Sequence, residues 1–312
     1  MRTRFSFRFR PDPPPAGRVK LADPLVTRRR WLVTLAALVA AGVVAWPYGL
    51  GQMVDEMRRD VAATGYLRAA ERHAAARPPR RAEALYELSR ALALAPDRDA
   101  YAEAVATVYL SLRAYAEARD WLQREPDLSP LLRVNLGQCL MMTGEQEKGA
   151  RLIRSSLAEI AAAYHAGQLP EVVYALALNN AGYALLSARE NVPEARLLIA
   201  RALAVSPLQP AYIDSMGWAE YQAGRYLDAA FYLERAVRLY WPQEDAEMQF
   251  HLGMAYARLG KLYSARQALE RCLQLDPGWT EAQHQLESLR RILPPPNIAW
   301  QPKPGYSGIS RG

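Results

Sequence analysis

Two hydrophobic patterns divide the chain. Residues 31–51, WLVTLAALVAAGVVAWPYGLG, run without a charged side chain. Beyond residue 64 the apolar positions return in blocks instead. Ala84, Ala118, Gly149, Ala195, Ala229 and Ala265 each sit in a similar local pattern, at spacings of 34, 31, 46, 34 and 36. Four residues after each stands a large apolar side chain: Leu88, Leu122, Ile153, Ile199, Leu233 and Leu269. Twelve residues before most of them is a small one, Ala106, Gly137, Gly217 or Gly253, with Gly182 one residue further away. Pro96, Pro126, Pro207 and Pro277 follow where helices would close, and Pro242 falls one residue late. Each block therefore predicts a pair of helices, because residues four apart share a helix face. Small residues let paired helices approach to about 8–10 Å, and the large ones fill the gaps. One pair cannot bury its apolar face alone, so neighbours must stack.

The stretches MGWAEYQAGRYLDAAFYLERAV and LGMAYARLGKLYSARQALERCLQLDP carry the pattern most fully. They resemble the tetratricopeptide-repeat (TPR) family, in which helix pairs of about 34 residues stack into a superhelix. The resemblance spans residues 64–279 and is most specific in the last three units. The unit at 98–129 has a shortened second helix, and the unit from 130 carries Gly149 where Ala is usual. An insertion of about ten residues follows that unit, and 64–97 is degenerate, as a capping unit would be. The implied fold class is all-α: a TPR helix-turn-helix solenoid with one N-terminal transmembrane helix. The expected boundaries are a basic cytoplasmic tail at 1–30, an anchor at 31–51, and a linker with a degenerate first helix pair at 52–97. The solenoid then fills 98–279, a more polar capping helix 280–292, and a Pro/Gly-rich tail 293–312.

Charge supports the anchor. The net +7 arises entirely within residues 1–30, where nine basic groups meet Asp12 and Asp23, and the rest of the chain is neutral. A neutral body has no broad electrostatic footprint for phosphate, so no nucleic-acid partner is expected. The apolar run matches a hydrocarbon core of about 30 Å. Trp31 at one end, with Trp46 and Tyr48 at the other, sit where interfacial aromatics do. Arg28, Arg29 and Arg30 precede the run, and DEMRRD after it is balanced. The positive-inside rule then puts the N-terminus in the cytoplasm and the repeats on the periplasmic side of a bacterial inner membrane. A cleaved signal peptide is the rival reading, but the Pro-rich basic segment is long for one and Pro47 sits just past the weak Val43-Val44-Ala45 cleavage site.

Chemistry is sparse. The four histidines, His73, His165, His251 and His284, show no metal-ligand spacing. No nucleophile-elbow, zinc-protease, phosphate-loop or dinucleotide pattern occurs, so no enzyme activity and no cofactor are expected. Cys139 and Cys272 fall in units too far apart for a disulfide, and Cys272 stands where Ala is usual. The N-terminal tail alternates Phe5, Phe7 and Phe9 with Arg4, Arg8 and Arg10, which suits a topology determinant or a contact with anionic lipid.

In the TPR family, ligands lie in the groove lined by the first helix of each pair. Carried onto this sequence, those positions are Asn135, Gln138, Met141 and Met142, then Asn179, Asn180 and Tyr183. Next come Asp214, Ser215, Trp218 and Tyr221, followed by Phe250, His251, Met254 and Arg258. Arg258 is the one basic member, so the Lys/Arg cluster that grips a terminal carboxylate is lacking. Aromatic and Met side chains suit a partly apolar peptide or partner helix. The resemblance therefore implies a membrane-anchored scaffold or assembly factor. A structural subunit of a larger membrane complex, or a chaperone-like receptor for exported polypeptide, are the alternatives.

Overall fold

The computed structural model describes residues 49–95 and 101–292. The predicted anchor, with Trp31, Trp46 and Tyr48, and both tails fall outside these residues, apart from Gly49–Gly51. No helix among the described residues is long and apolar enough to cross a membrane.

The described residues form thirteen helices and no strand. The first pair is α1 (Gly49–Ala74) and α2 (Arg81–Leu94), the second α3 (Ala102–Ser111) and α4 (Tyr115–Leu122). Then come α5 (Pro130–Met142) with α6 (Gln146–His165), and α7 (Glu171–Ser187) with α8 (Val192–Val205). The last pairs are α9 (Pro210–Gln222) with α10 (Tyr226–Tyr240), and α11 (Ala246–Arg258) with α12 (Leu262–Leu275), before a terminal α13 (Thr280–Ile292). Local chemistry sets several starts. The Ser129, Asn191 and Asp245 side chains accept the first free N–H groups of α5, α8 and α11. Pro130 and Pro210 open α5 and α9, where a missing N–H costs nothing.

In the four pairs from α5 to α12 the predicted small–large contact is present. A Cβ added at Gly217 would lie 2.6 Å from Leu233 Cγ, and one at Gly137 would lie 2.5 Å from Ile153 Cγ1. Only glycine admits so close a crossing. Each second helix packs on the next first helix, and successive first helices also touch one another. Among the described residues, second helices make no comparable contact with each other, so the stack curves with the first helices on its inner side. The core is correspondingly a chain of buried clusters passing from pair to pair. Cys139 and Cys272 are buried and free within it, and burial pushes both thiols up to about 12.

The insertion does not form a loop. It lengthens α6 to 20 residues and α7 to 17, and Tyr164 stacks on Tyr174 across the turn, with ring centroids 4.5 Å apart. Polar ties cross between pairs as well. Glu220 on α9 is 2% exposed and accepts from Arg196 on α8 at 2.7 Å and from Arg225 before α10. Burial works against its ionisation, but these two guanidinium groups outweigh that and hold its carboxyl below the ordinary value. Gln222 donates to the Leu186 carbonyl at 2.8 Å, satisfying the end of α7.

The turns inside the last five pairs each carry a left-handed residue. Gly144, Gly224 and Gly260 supply it in three pairs, with φ between 72° and 99°. Arg113 and Arg189 occupy the corresponding turns at φ 54° and 55°. A side chain is disfavoured in that conformation, so these two positions carry local strain.

Candidate partner-binding surface

The inner layer divides the predicted groove residues into three groups. Asn135, Gln138, Asn179, Asp214 and His251 are buried. Met142, Asn180, Tyr183, Trp218, Tyr221 and Phe250 are half-buried, and Arg258 is exposed. Asn135, Gln138 and Met142 ride on α5, which packs against α3 and α7 rather than against α11. They stand apart from the cluster that α7, α9 and α11 build.

That cluster is centred on His251, one helical turn after Glu247 on α11. His251 Nδ1 lies 2.9 Å from Asp214 Oδ2 on α9. Trp218, one turn beyond Asp214, stacks on the imidazole with centroids 4.2 Å apart and planes 16° apart. Tyr221 in turn stacks on Trp218, 4.6 Å away and nearly parallel to it. Phe250 approaches Trp218 at 6.1 Å and reaches Trp279, beyond the last pair, at 5.4 Å. The Tyr183 hydroxyl on α7 donates to the Glu247 carboxylate. Arg258 places its guanidinium 4.5 Å from the Tyr226 ring, which in turn meets Tyr221 at 5.6 Å. An aromatic row thus runs Tyr226, Tyr221, Trp218, Phe250, Trp279.

Three acids meet beneath this row: Asp214, Asp245 and Glu247. Burial pulls the His251 pKa down, but the Asp214 carboxylate, with Glu247 and Asp245 behind it, more than offsets this and leaves it raised. Burial raises Glu247, and the neighbouring Asp214 and Asp245 charges add to the effect against His251 and the Tyr183 hydrogen bond. Asp245 is raised too, chiefly by burial, although it caps α11 through the Glu247 and Met248 N–H groups at 2.9 and 3.0 Å. Tyr183 lies well above the usual phenol value through burial and the facing Glu247 carboxylate. Two acceptors in this layer, Asp214 Oδ1 and Asn179 Oδ1, are buried without a hydrogen-bond partner. Among the described residues no trio of His, Cys, Asp or Glu is placed to hold a metal.

Sequence reasoning missed Glu247, Asp245, Trp279 and Arg113. Glu247 could have been found, since it shares the His251 face at a four-residue offset. Trp279 and Arg113 could not, because they meet only when the curved stack closes. Arg113, in the α3–α4 turn, sets its guanidinium 4.4 Å from the Trp279 ring and pairs with Glu281 at 3.2 Å, across 168 residues of sequence.

Comparison with known proteins gives the repeat an independent source. Residues 215–278 match the family model described as tetratricopeptide repeat. A curated protein from Pseudomonas aeruginosa, TPR repeat-containing protein PA4667, is 43% identical over 79 residues. That match covers 25% of this chain and 13% of the length of the relative. Among solved structures, PilW, described as a type IV pilus biogenesis factor, is 18% identical with a TM-score of 0.46, over 74% of this chain and 98% of that one. The thermophilic TPR protein TTC0263 of Thermus thermophilus is 16% identical with a TM-score of 0.42, over 74% and 100% of the two chains.

Proposed function

We propose that this chain, which belongs to the tetratricopeptide-repeat family, is a membrane-anchored scaffold or assembly factor that holds partner proteins on the inner face of its solenoid. One observation carries the reading: the half-buried row of Tyr221, Trp218 and Phe250 lies on the first helices, where stacking requires only the small–large contacts. Large flat rings, partly exposed over polar groups, are the side chains that anchor interfaces. Residues 31–51 anchor the chain in a bilayer with the N-terminus cytoplasmic, and the repeats act in the periplasm. The uncharged run after a strongly basic segment supports that orientation.

Photo-crosslinking tests the surface. A photoreactive phenylalanine at position 218, in full-length protein in membranes, gives a discrete protein adduct. The same group at Phe231, on an outer helix and 60% exposed, gives none. Equal adducts from both positions would remove the inner face as the site. Externally added protease that digests the repeats in spheroplasts supports the periplasmic side, and digestion confined to inverted vesicles reverses it.

A further inference from the structure

We propose that Trp279 and Glu281 form a guanidinium subsite at the end of the aromatic row, occupied here by the chain's own Arg113, whose place a partner's arginine side chain takes. This rests on the inner-face reading above and names the chemistry it recognises. The Arg113 fork is engaged at both ends: Nη1 donates to Glu281 Oε2 at 3.4 Å and Nη2 to Oε1 at 3.2 Å. The same guanidinium lies over the indole of Trp279 at 4.4 Å. A planar cation that stacks and pairs in two places is what arginine offers and lysine does not.

Three further observations separate this from an ordinary surface ion pair. Arg113 sits in a left-handed turn where Gly144, Gly224 and Gly260 serve in other pairs, so the local backbone is better satisfied by glycine. Trp279 is 6% exposed, its ring is covered by the Arg113 guanidinium, and its buried indole N–H has no hydrogen-bond partner. Phe250 also joins Trp279 to Trp218, so a segment lying along the row arrives at this subsite next. Arg113 is then an internal competitor for the partner.

The test uses purified full-length protein and labelled tetra-arginine, tetra-lysine and tetra-citrulline peptides, read by fluorescence anisotropy. R113G frees the subsite and binds tetra-arginine at least about ten-fold tighter than the unaltered protein, with tetra-lysine weaker and tetra-citrulline unbound. W279A added to R113G removes the gain. R113Q, which keeps the first three side-chain carbons but removes the guanidinium and its charge, gives the same gain and covers the case in which R113G fails to fold. Unchanged affinity in the folded variants, equal binding of citrulline, or failure of both variants to fold overturns the subsite and leaves Arg113 a structural residue. Such a result with intact position-218 crosslinking removes this inference alone, whereas loss of the crosslink removes the inner-face reading.

Discussion

The two helices of one pair, α9 and α10, are close in length and opposite in use. α9 buries eight of its 13 residues, among them Asp214, Ser215 and Glu220, whereas α10 buries four of 15, all Ala or Leu. Leu227 and Phe231 lie exposed on α10, as do Leu197 on α8 and Tyr263 on α12. The inner helix touches its partner and a neighbour on each side, so even its polar positions are enclosed. Enclosed polar groups require particular partners. Each inner helix must therefore be individual, while the outer helices need only one conforming stripe.

Substitutions can break that contrast. Gly217→Val drives a branched side chain into Leu233 at the crossing and destabilises the fold by about 3 kcal/mol in urea titration. A cost near zero would mean that the layers can part without penalty. Asp214→Ala leaves His251 buried without its counter-charge and costs about 2 kcal/mol by the same measurement.

The pH response sharpens the comparison. His251 has a raised pKa in the fold, so its contribution is complete below the unfolded value of 6.5 and is lost as pH rises through the folded value. Glu247 and Asp245 are also raised, which favours their protonated forms and works in the same direction from the ordinary carboxylate range upward. The urea midpoint therefore falls as pH rises above the unfolded histidine value of 6.5, and His251→Asn flattens that fall. A midpoint that rises there contradicts the buried cluster.

Smaller effects lie at the turn and outside. Arg189→Gly relieves a left-handed side chain between the layers and stabilises by about 1 kcal/mol, read from thermal melts. Leu227→Ser on the outer layer changes stability by less than about 0.5 kcal/mol. A larger loss there would give the outer face a packing role that its exposure denies.

Gly217 and Leu233 were legible because a stacking contact recurs at the same place in every unit, and repetition makes a weak local pattern strong. The aromatic character of Trp218, Tyr221 and Phe250 was legible too, as was their common face. Their burial was not, since it depends on how far each pair rotates relative to the last. The insertion was visible as a break in spacing, but its conversion into longer α6 and α7 follows from packing, including Tyr164 against Tyr174. Arg113 gave no sign, because small rotations accumulated over several pairs decide what its turn meets.

A repeat array without cross-contacts behaves as a one-dimensional chain, in which either end can fray without consulting the other. The contact between the α3–α4 turn and the start of α13 closes such a chain into a loop. Opening one end then removes a neighbour from the other, so amide exchange in α3 and α13 becomes correlated. A partner that displaces Arg113 would loosen helices remote from itself, making the array's two ends report a single event.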